Sequence, residues 1–183
     1  MHIVDEIINK YQNNNSLYIG EKVTMTEHMI QTAMSAEENQ SPASLICACL
    51  LHDYGHFIIE DPDRLVSKSV DGKHEDIGFN FLKNYFKPEV VEPIKLHVQA
   101  KRYLCREKSY WNALSEASKV SLKLQGGVMS DVETEKFNSL EFHYEAILLR
   151  KYDDEGKIPN IKMKKIDEYR NLIASQLINE KTI

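Results

Sequence analysis

Apolar positions along this chain recur at three- and four-residue steps almost throughout, the spacing that gathers them on one face of a helix. Ile3, Val4, Ile7, Ile8 and Tyr11 predict a first helix over residues 2–12, broken by the polar run Gln12-Asn13-Asn14-Asn15-Ser16. Leu17 to Glu21 has no clear period, and Thr24 or Thr26 can cap a second helix through His28, Ile30, Ala33 and Met34. Ser41-Pro42 reads as an N-cap followed by proline at the first helical position, opening an apolar helix from Ala43 to about His52. Tyr54 to Lys73, with Gly55, Pro62 and Gly72, reads as a loop. Four more helices are predicted over 74–86, 88–97, 115–125 and 137–152, the third stopped by Gly126-Gly127. Pro93 would be tolerated only near the first turn of its helix. A final amphipathic helix covers Met163 to Leu177. No segment alternates like a strand and no internal repeat or second domain is visible, so the expected fold is an all-α, single-domain bundle.

Composition narrows the function classes. A chain of 183 residues is long enough to bury a real core as one domain over 1–183. Its net charge of -5 argues against a general binder of nucleic acid or membrane surfaces, which would present a basic face, though local basic pockets stay open. No stretch approaches the roughly 20 apolar residues of a membrane span, and the early Asp5 is unlike a signal peptide. The expectation is a soluble, cytoplasmic protein without nucleic-acid or membrane partners. Three cysteines, two of them (Cys47, Cys49) inside an apolar run, read as small core residues and suggest neither a disulfide framework nor a zinc knuckle.

Chemistry concentrates at His52-Asp53, which closes the run Leu45-Ile46-Cys47-Ala48-Cys49-Leu50-Leu51. Neighbours on a helix point about 100° apart. Where both reach one metal, the carboxylate keeps a second oxygen for another. A histidine and an aspartate ending a buried helix need a partner to offset desolvation, either a metal ion or an ordinary hydrogen bond. His28, His52, His74 and His97 fall on four different predicted helices, near ends or first turns, and Asp153-Asp154 closes a further one. Imidazole suits iron, zinc, nickel or copper, and carboxylate suits harder ions. A side chain able to carry positive charge stands one turn from a candidate ligand in three cases: His56 after His52, Lys101 after His97, Arg150 before Asp153. Cations facing a metal pair make sense if an anion such as phosphate or phosphonate binds between them. The plainer reading takes each histidine singly as a hydrogen-bonded residue, Lys101-Arg102 as a solvated pair, and Arg150-Lys151 as answering the negative end of their helix. Cys105, Tyr103, Tyr110 and Trp111 read as packing, and His2 and His143 have no assigned role.

The ordered set His28, His52-Asp53, His74, His97, Asp153 resembles the metal-binding pattern of the HD-domain superfamily. The basic H…HD…D pattern is shared with metal-dependent phosphohydrolases; His74 and His97 are the additions that imply a second metal. Wider matches at Tyr18-Ile19-Gly20-Glu21, His52-Asp53-Tyr54-Gly55-His56, Lys101-Arg102-Tyr103-Leu104, Leu124-Gln125-Gly126-Gly127 and Leu149-Arg150-Lys151-Tyr152-Asp153-Asp154 resemble the mixed-valent diiron oxygenases of phosphonate breakdown (the PhnZ type), distant relatives of myo-inositol oxygenase. The likeness spans about 17–157, with the helix at about 163–180 expected to pack on that core. It implies an HD-domain helical bundle with two iron ions, Fe(II)/Fe(III), and O2 as co-substrate. One iron would take His28, His52, Asp53 and Asp153, the other His74, His97 and the second oxygen of Asp53. Tyr18 would occupy the second iron until substrate arrives, Glu21 would meet a substrate amino group, and His56, Lys101, Ser118 and Arg150 would hold phosphonate oxygens. Ser115 and Ser121 lie on the same helix as Ser118, and Asp154 competes with Asp153. The implied reaction is oxidative cleavage of the carbon–phosphorus bond of a small anionic α-hydroxyphosphonate, 2-amino-1-hydroxyethylphosphonate giving glycine and phosphate. The alternatives are an HD-type phosphohydrolase acting on a small phosphate ester, and a helical binding module whose metal site is structural.

Overall fold

A computed structural model of the chain describes residues 2–18, 20–59 and 72–178. Helices carry the fold, and the only bridges among the described residues are two isolated pairs, Leu17 with Thr24 and Phe86 with Leu177. The helices are α1 (Ile3–Gln12), α2 (Met25–Glu38), α3 (Ala43–Leu51), α4 (His74–Leu82), α5 (Pro88–Leu104), α6 (Lys108–Ala113), α7 (Glu116–Leu124), α8 (Asp131–Asn138), α9 (His143–Glu155) and α10 (Arg170–Ser175). The all-α expectation therefore holds. No helix among the described residues is long and apolar enough to cross a membrane.

The core forms where α3 packs between α2 and α5, with α9 lying against α2 and α5 on the far side. Helix α3 can sit at the centre because it is apolar on all faces: Leu45, Cys47, Ala48, Cys49, Leu50 and Leu51 are all buried. Helix α1 lays Ile3, Val4, Ile7, Ile8 and Tyr11 onto the same core, and the C-terminal segment adds Ile166, Tyr169 and Ile173. Each fully buried aliphatic side chain of this kind stabilises the fold by roughly 1.5–3 kcal/mol. A second cluster joins Leu96 and Ala100 of α5 to Phe137 and Ala146.

Several boundaries differ from the sequence reading. Pro42, not Ser41, is the residue preceding α3, and the Ser41 hydroxyl instead pairs with the Tyr152 hydroxyl at 3.1 Å. Part of the predicted loop after Asp53 is a 3-10 turn, Tyr54–Phe57, and residues 60–71 lie outside the described ones. Helix α5 runs through Pro93 to Leu104, so His97 is mid-helix rather than near an end. The short α6 occupies the connection holding Tyr110 and Trp111. The helix expected over 137–152 is two, α8 and α9, because Phe137, Leu140 and Phe142 all turn into the second cluster and pull the chain off one axis. The last predicted helix is a 3-10 turn, Ile166–Tyr169, continuing into α10, and residues 179–180 of its expected range are likewise outside the described ones.

Candidate metal centre

Thr24 opens α2 with a capping box, its hydroxyl accepting from the Glu27 N–H while the Glu27 carboxylate accepts from the Thr24 N–H. That fixes the first turn of α2 and sets His28, fully buried, facing inward. His52 and Asp53 follow the end of α3, His74 begins α4, His97 stands in the middle of α5, and Asp153 lies in the last turns of α9. All six side chains are buried. They converge as two triads, His28–His52–Asp153 and Asp53–His74–His97.

Asp53 joins the triads, as its second oxygen allows. Its Oδ1 lies 3.1 Å from His74 Nε2 and 3.6 Å from His97 Nε2, while Oδ2 lies 3.4 Å from His52 Nε2 and 3.7 Å from His28 Nε2. Asp153, not Asp154, closes the first triad, with Oδ1 3.4 Å from His28 Nε2. Asp154 turns away to Arg150 and to the hydroxyl of Tyr110.

The ring orientations test whether metal fits. His28 Nδ1 is 2.8 Å from the Gly156 carbonyl, His52 Nδ1 2.8 Å from that of Cys49, and His97 Nδ1 2.6 Å from that of Ile94. A carbonyl only accepts, so each Nδ1 carries a proton and each Nε2 is the nitrogen turned toward its triad. His74 Nδ1 lies 3.5 Å from the Glu75 carboxylate, and its Nε2 likewise faces its triad. Those nitrogens then confront one another, His28 against His52 at 3.2 Å and His74 against His97 at 3.1 Å, among carboxylate oxygens. Asp153 Oδ1, buried, has no hydrogen-bond partner among the described residues. Buried nitrogens and carboxylate oxygens this close together call for positive charge between them, and nitrogen–oxygen sets of this kind suit iron-type divalent and trivalent ions.

Electrostatics agree. Burial alone would raise the Asp53 carboxyl, but the imidazoles of His52 and His74 hold it well below the usual carboxylate range. Burial works against charge on His52 and His74 too, yet Asp53 raises both. His97 is pushed down to about 3, by burial first and then by His74, and so stays a neutral donor. Burial would raise Asp153 as well, but Arg150 beside it keeps it ionised.

A cavity of about 420 Å³ opens beside the triads, lined by Asp53, Asp153, His74 and His97 and by every residue expected to meet substrate: Tyr18, Glu21, His56, Lys101, Ser118 and Arg150. Lys101 is buried, held by Ser121 Oγ at 2.6 Å and Gln125 Oε1 at 3.0 Å. Arg150 spans Asp153, Asp154 and the Tyr110 hydroxyl, so Tyr110 is part of the scaffold behind the cavity as well as packing. His56 departs from the expected cationic role. Burial and then the stacked His74 ring, 4.3 Å away, lower it to about 3, so it can offer only a neutral N–H. The Tyr18 ring lies flat on His28 at 4.0 Å, against the first triad, and its phenol is held protonated by burial and then by Asp53. Ser118 lines the cavity together with Ser121, whereas Ser115 caps α7 and donates to Glu21 Oε1 at 2.7 Å. Lys157, unremarked in the sequence, reaches the same region with its Nζ 3.1 Å from Ser118 Oγ. It lies beyond Gly156, which ends α9, so it is on no helical face shared with Asp153 and helical spacing could not have found it.

Comparison with known proteins agrees with this geometry. The family model described as "HD domain" matches residues 25–126. A hydroxymethylphosphonate dioxygenase of Gimesia maris is 39% identical over 176 residues, covering 95% of this chain and 88% of the relative. The [1-hydroxy-2-(trimethylamino)ethyl]phosphonate dioxygenase (glycine-betaine-forming) of Leisingera caerulea is 43% identical over 141 residues, covering 76% of this chain and 72% of the relative. An uncharacterized protein of Acanthamoeba polyphaga mimivirus is 38% identical over 178 residues, covering 95% and 81%.

Proposed function

We infer the reaction from one premise: this chain belongs to the HD-domain family and, within it, to the oxygenases that act on phosphonates. The enzyme cleaves the carbon–phosphorus bond of an α-hydroxyphosphonate with dioxygen. For 2-amino-1-hydroxyethylphosphonate, one molecule of substrate and one of O2 give glycine and phosphate, and all atoms balance. The two relatives of assigned activity act on phosphonates that differ in the group beyond the hydroxyl-bearing carbon, one with no nitrogen and one with a trimethylated nitrogen.

In this reading His28, His52, Asp153 and one oxygen of Asp53 hold one iron, and His74, His97 and the other oxygen of Asp53 hold the second. An Fe(II)/Fe(III) pair supplies, when bound, the redox chemistry that dioxygen requires and a Lewis acid for the substrate's hydroxyl. The chain's own groups do the rest. Lys101 and Arg150 bring positive charge to the phosphonate, Ser118 and the neutral His56 offer hydrogen bonds to its oxygens, and Glu21 receives the amino group. Tyr18, its ring stacked on His28 and lining the cavity, would occupy the second iron until substrate arrives.

One observation carries the proposal: four imidazole nitrogens meet at a shared aspartate, beside a cavity that the buried Lys101 and Arg150 also line. The test is iron-loaded protein incubated with 2-amino-1-hydroxyethylphosphonate in air and under argon. Equal amounts of phosphate and glycine, formed only with oxygen, are expected. Phosphate release from a simple phosphate ester with magnesium or manganese and no oxygen would make the protein a phosphohydrolase instead.

A further inference from the structure

Glu21 already has partners within the chain where a substrate amine would meet it. Its Oε1, the oxygen that accepts from Ser115, lies 3.8 Å from the Nζ of Lys157. Lys157 follows Gly156, whose carbonyl bonds His28 Nδ1, so its backbone is anchored to the first triad. A Cβ at Gly156 would come within 2.5 Å of Thr32 Oγ1 and 2.9 Å of the His28 carbonyl, which shows how tightly that anchor is seated. From there the Lys157 side chain, only 11% exposed, runs inward. Its ammonium donates to Ser118 Oγ, lies 3.8 Å from Asp154 Oδ1 and stands 5.7 Å from the centre of the Tyr18 ring. An ammonium with a carboxylate, a hydroxyl and an aromatic face around it is what a cationic nitrogen of a substrate would also seek.

We propose that Lys157 is a specificity-determining residue: its ammonium already partners Glu21, so a substrate nitrogen must displace it or share the carboxylate with it. Two cations at one partly buried carboxylate repel each other, whereas a substrate without nitrogen leaves the Glu21–Lys157 pair intact. The choice between aminated and nitrogen-free phosphonates therefore rests on the pair and not on Glu21 alone. This rests on the assignment of the cavity to phosphonates.

The test separates binding from turnover. Affinities of iron-loaded full-length protein for 2-aminoethylphosphonate and ethylphosphonate, which lack the hydroxyl, are measured by calorimetry under argon. Lys157→Met is expected to raise the ratio of the two affinities roughly tenfold in favour of the amine. Lys157→Arg, which keeps the charge, should leave the ratio near its starting value. In a Glu21→Gln background the rise caused by Lys157→Met should shrink at least threefold, because the contested carboxylate is gone. A purely structural role for Lys157 would weaken both ligands alike and leave the ratio unchanged. That result, or a fall in the ratio, overturns the inference, while no binding of either phosphonate overturns both the inference and the assignment of the cavity. Failure to release phosphate from the hydroxylated substrate in air would sink the reaction alone.

Discussion

Replacing Gly55 with alanine should evict His74 from the second triad. The 3-10 turn after Asp53 crosses the start of α4 with backbone against backbone, and a Cβ at Gly55 would lie 2.0 Å from the His74 carbonyl oxygen, 2.8 Å from its carbonyl carbon and 2.9 Å from the Gly78 nitrogen. An ordinary carbon–oxygen contact needs about 3.3 Å. The two segments must therefore part by roughly 1.3 Å, and no flexible side chain is present to absorb the movement. Metal–ligand distances tolerate only about 0.2 Å. The clashing atom belongs to His74 itself, so its imidazole moves with it. Overpacking of this kind costs on the order of 3 kcal/mol, at the upper end because backbone is involved. In a chain of this size that corresponds to a fall in Tm of roughly 6–12 °C. Iron per chain is expected to drop from about two toward one, with phosphate release from the hydroxyphosphonate lost and far-UV circular dichroism retained. Gly78→Ala provides a graded control, since its Cβ would meet the Gly55 nitrogen at a milder 3.1 Å and the Gly55 Cα at 3.5 Å. Full iron content and unchanged Tm in Gly55→Ala would refute the argument.

Lys101→Met should stabilise the protein while removing phosphonate affinity. Burial, then Arg150, lowers the Lys101 ammonium to about 7 from 10.5, so between those values the unfolded chain holds the proton more tightly than the native one. Native stability therefore rises with pH across that window, and the cost of burial is complete below it. Net of the bonds to Ser121 and Gln125, the gain at pH 6 should be on the order of 3 kcal/mol and should fade toward pH 10. Equal Tm gains at pH 6 and pH 10 would contradict this sign. Asp153→Asn and Asp154→Asn should differ in kind. The first removes a carboxylate of the first triad and should lower iron content. The second frees Arg150, Tyr110 and Lys157, and should keep the iron while raising KM for the phosphonate. Iron analysis beside steady-state kinetics distinguishes them, and matching losses of iron would place Asp154 among the ligands.

Much of the fold was legible in the pattern of apolar residues, because a helix advertises its buried face locally. Ile3, Val4, Ile7 and Ile8 give α1 as directly as Leu45 to Leu51 give α3. Boundaries were harder wherever packing overrode local preference. The break between α8 and α9 depends on Phe137, Leu140 and Phe142 finding Leu96 and Ala100 of α5, more than thirty residues earlier in the chain, and no local signal contains that contact. The extension of α5 past His97 likewise rests on Ala100 and Lys101 being buried by α7 and α9.

The sequence by itself determined which side chains could bind metal, since His52-Asp53 at the end of an apolar helix demands a partner and residue type fixes what each group can donate. It also set the register of Lys101 and Arg150 to those ligands, because helical spacing is a local property. Only the tertiary structure decided that Asp153 rather than Asp154 faces the histidines, that His56 is neutral, and that Lys157 meets Glu21. Each of these depends on groups far apart in the chain: the Gly156 carbonyl on His28, the His74 ring on His56, the Ser118 hydroxyl on Lys157. Burial and charge act through space, and their sum at one atom is fixed only when every neighbouring helix has taken its place.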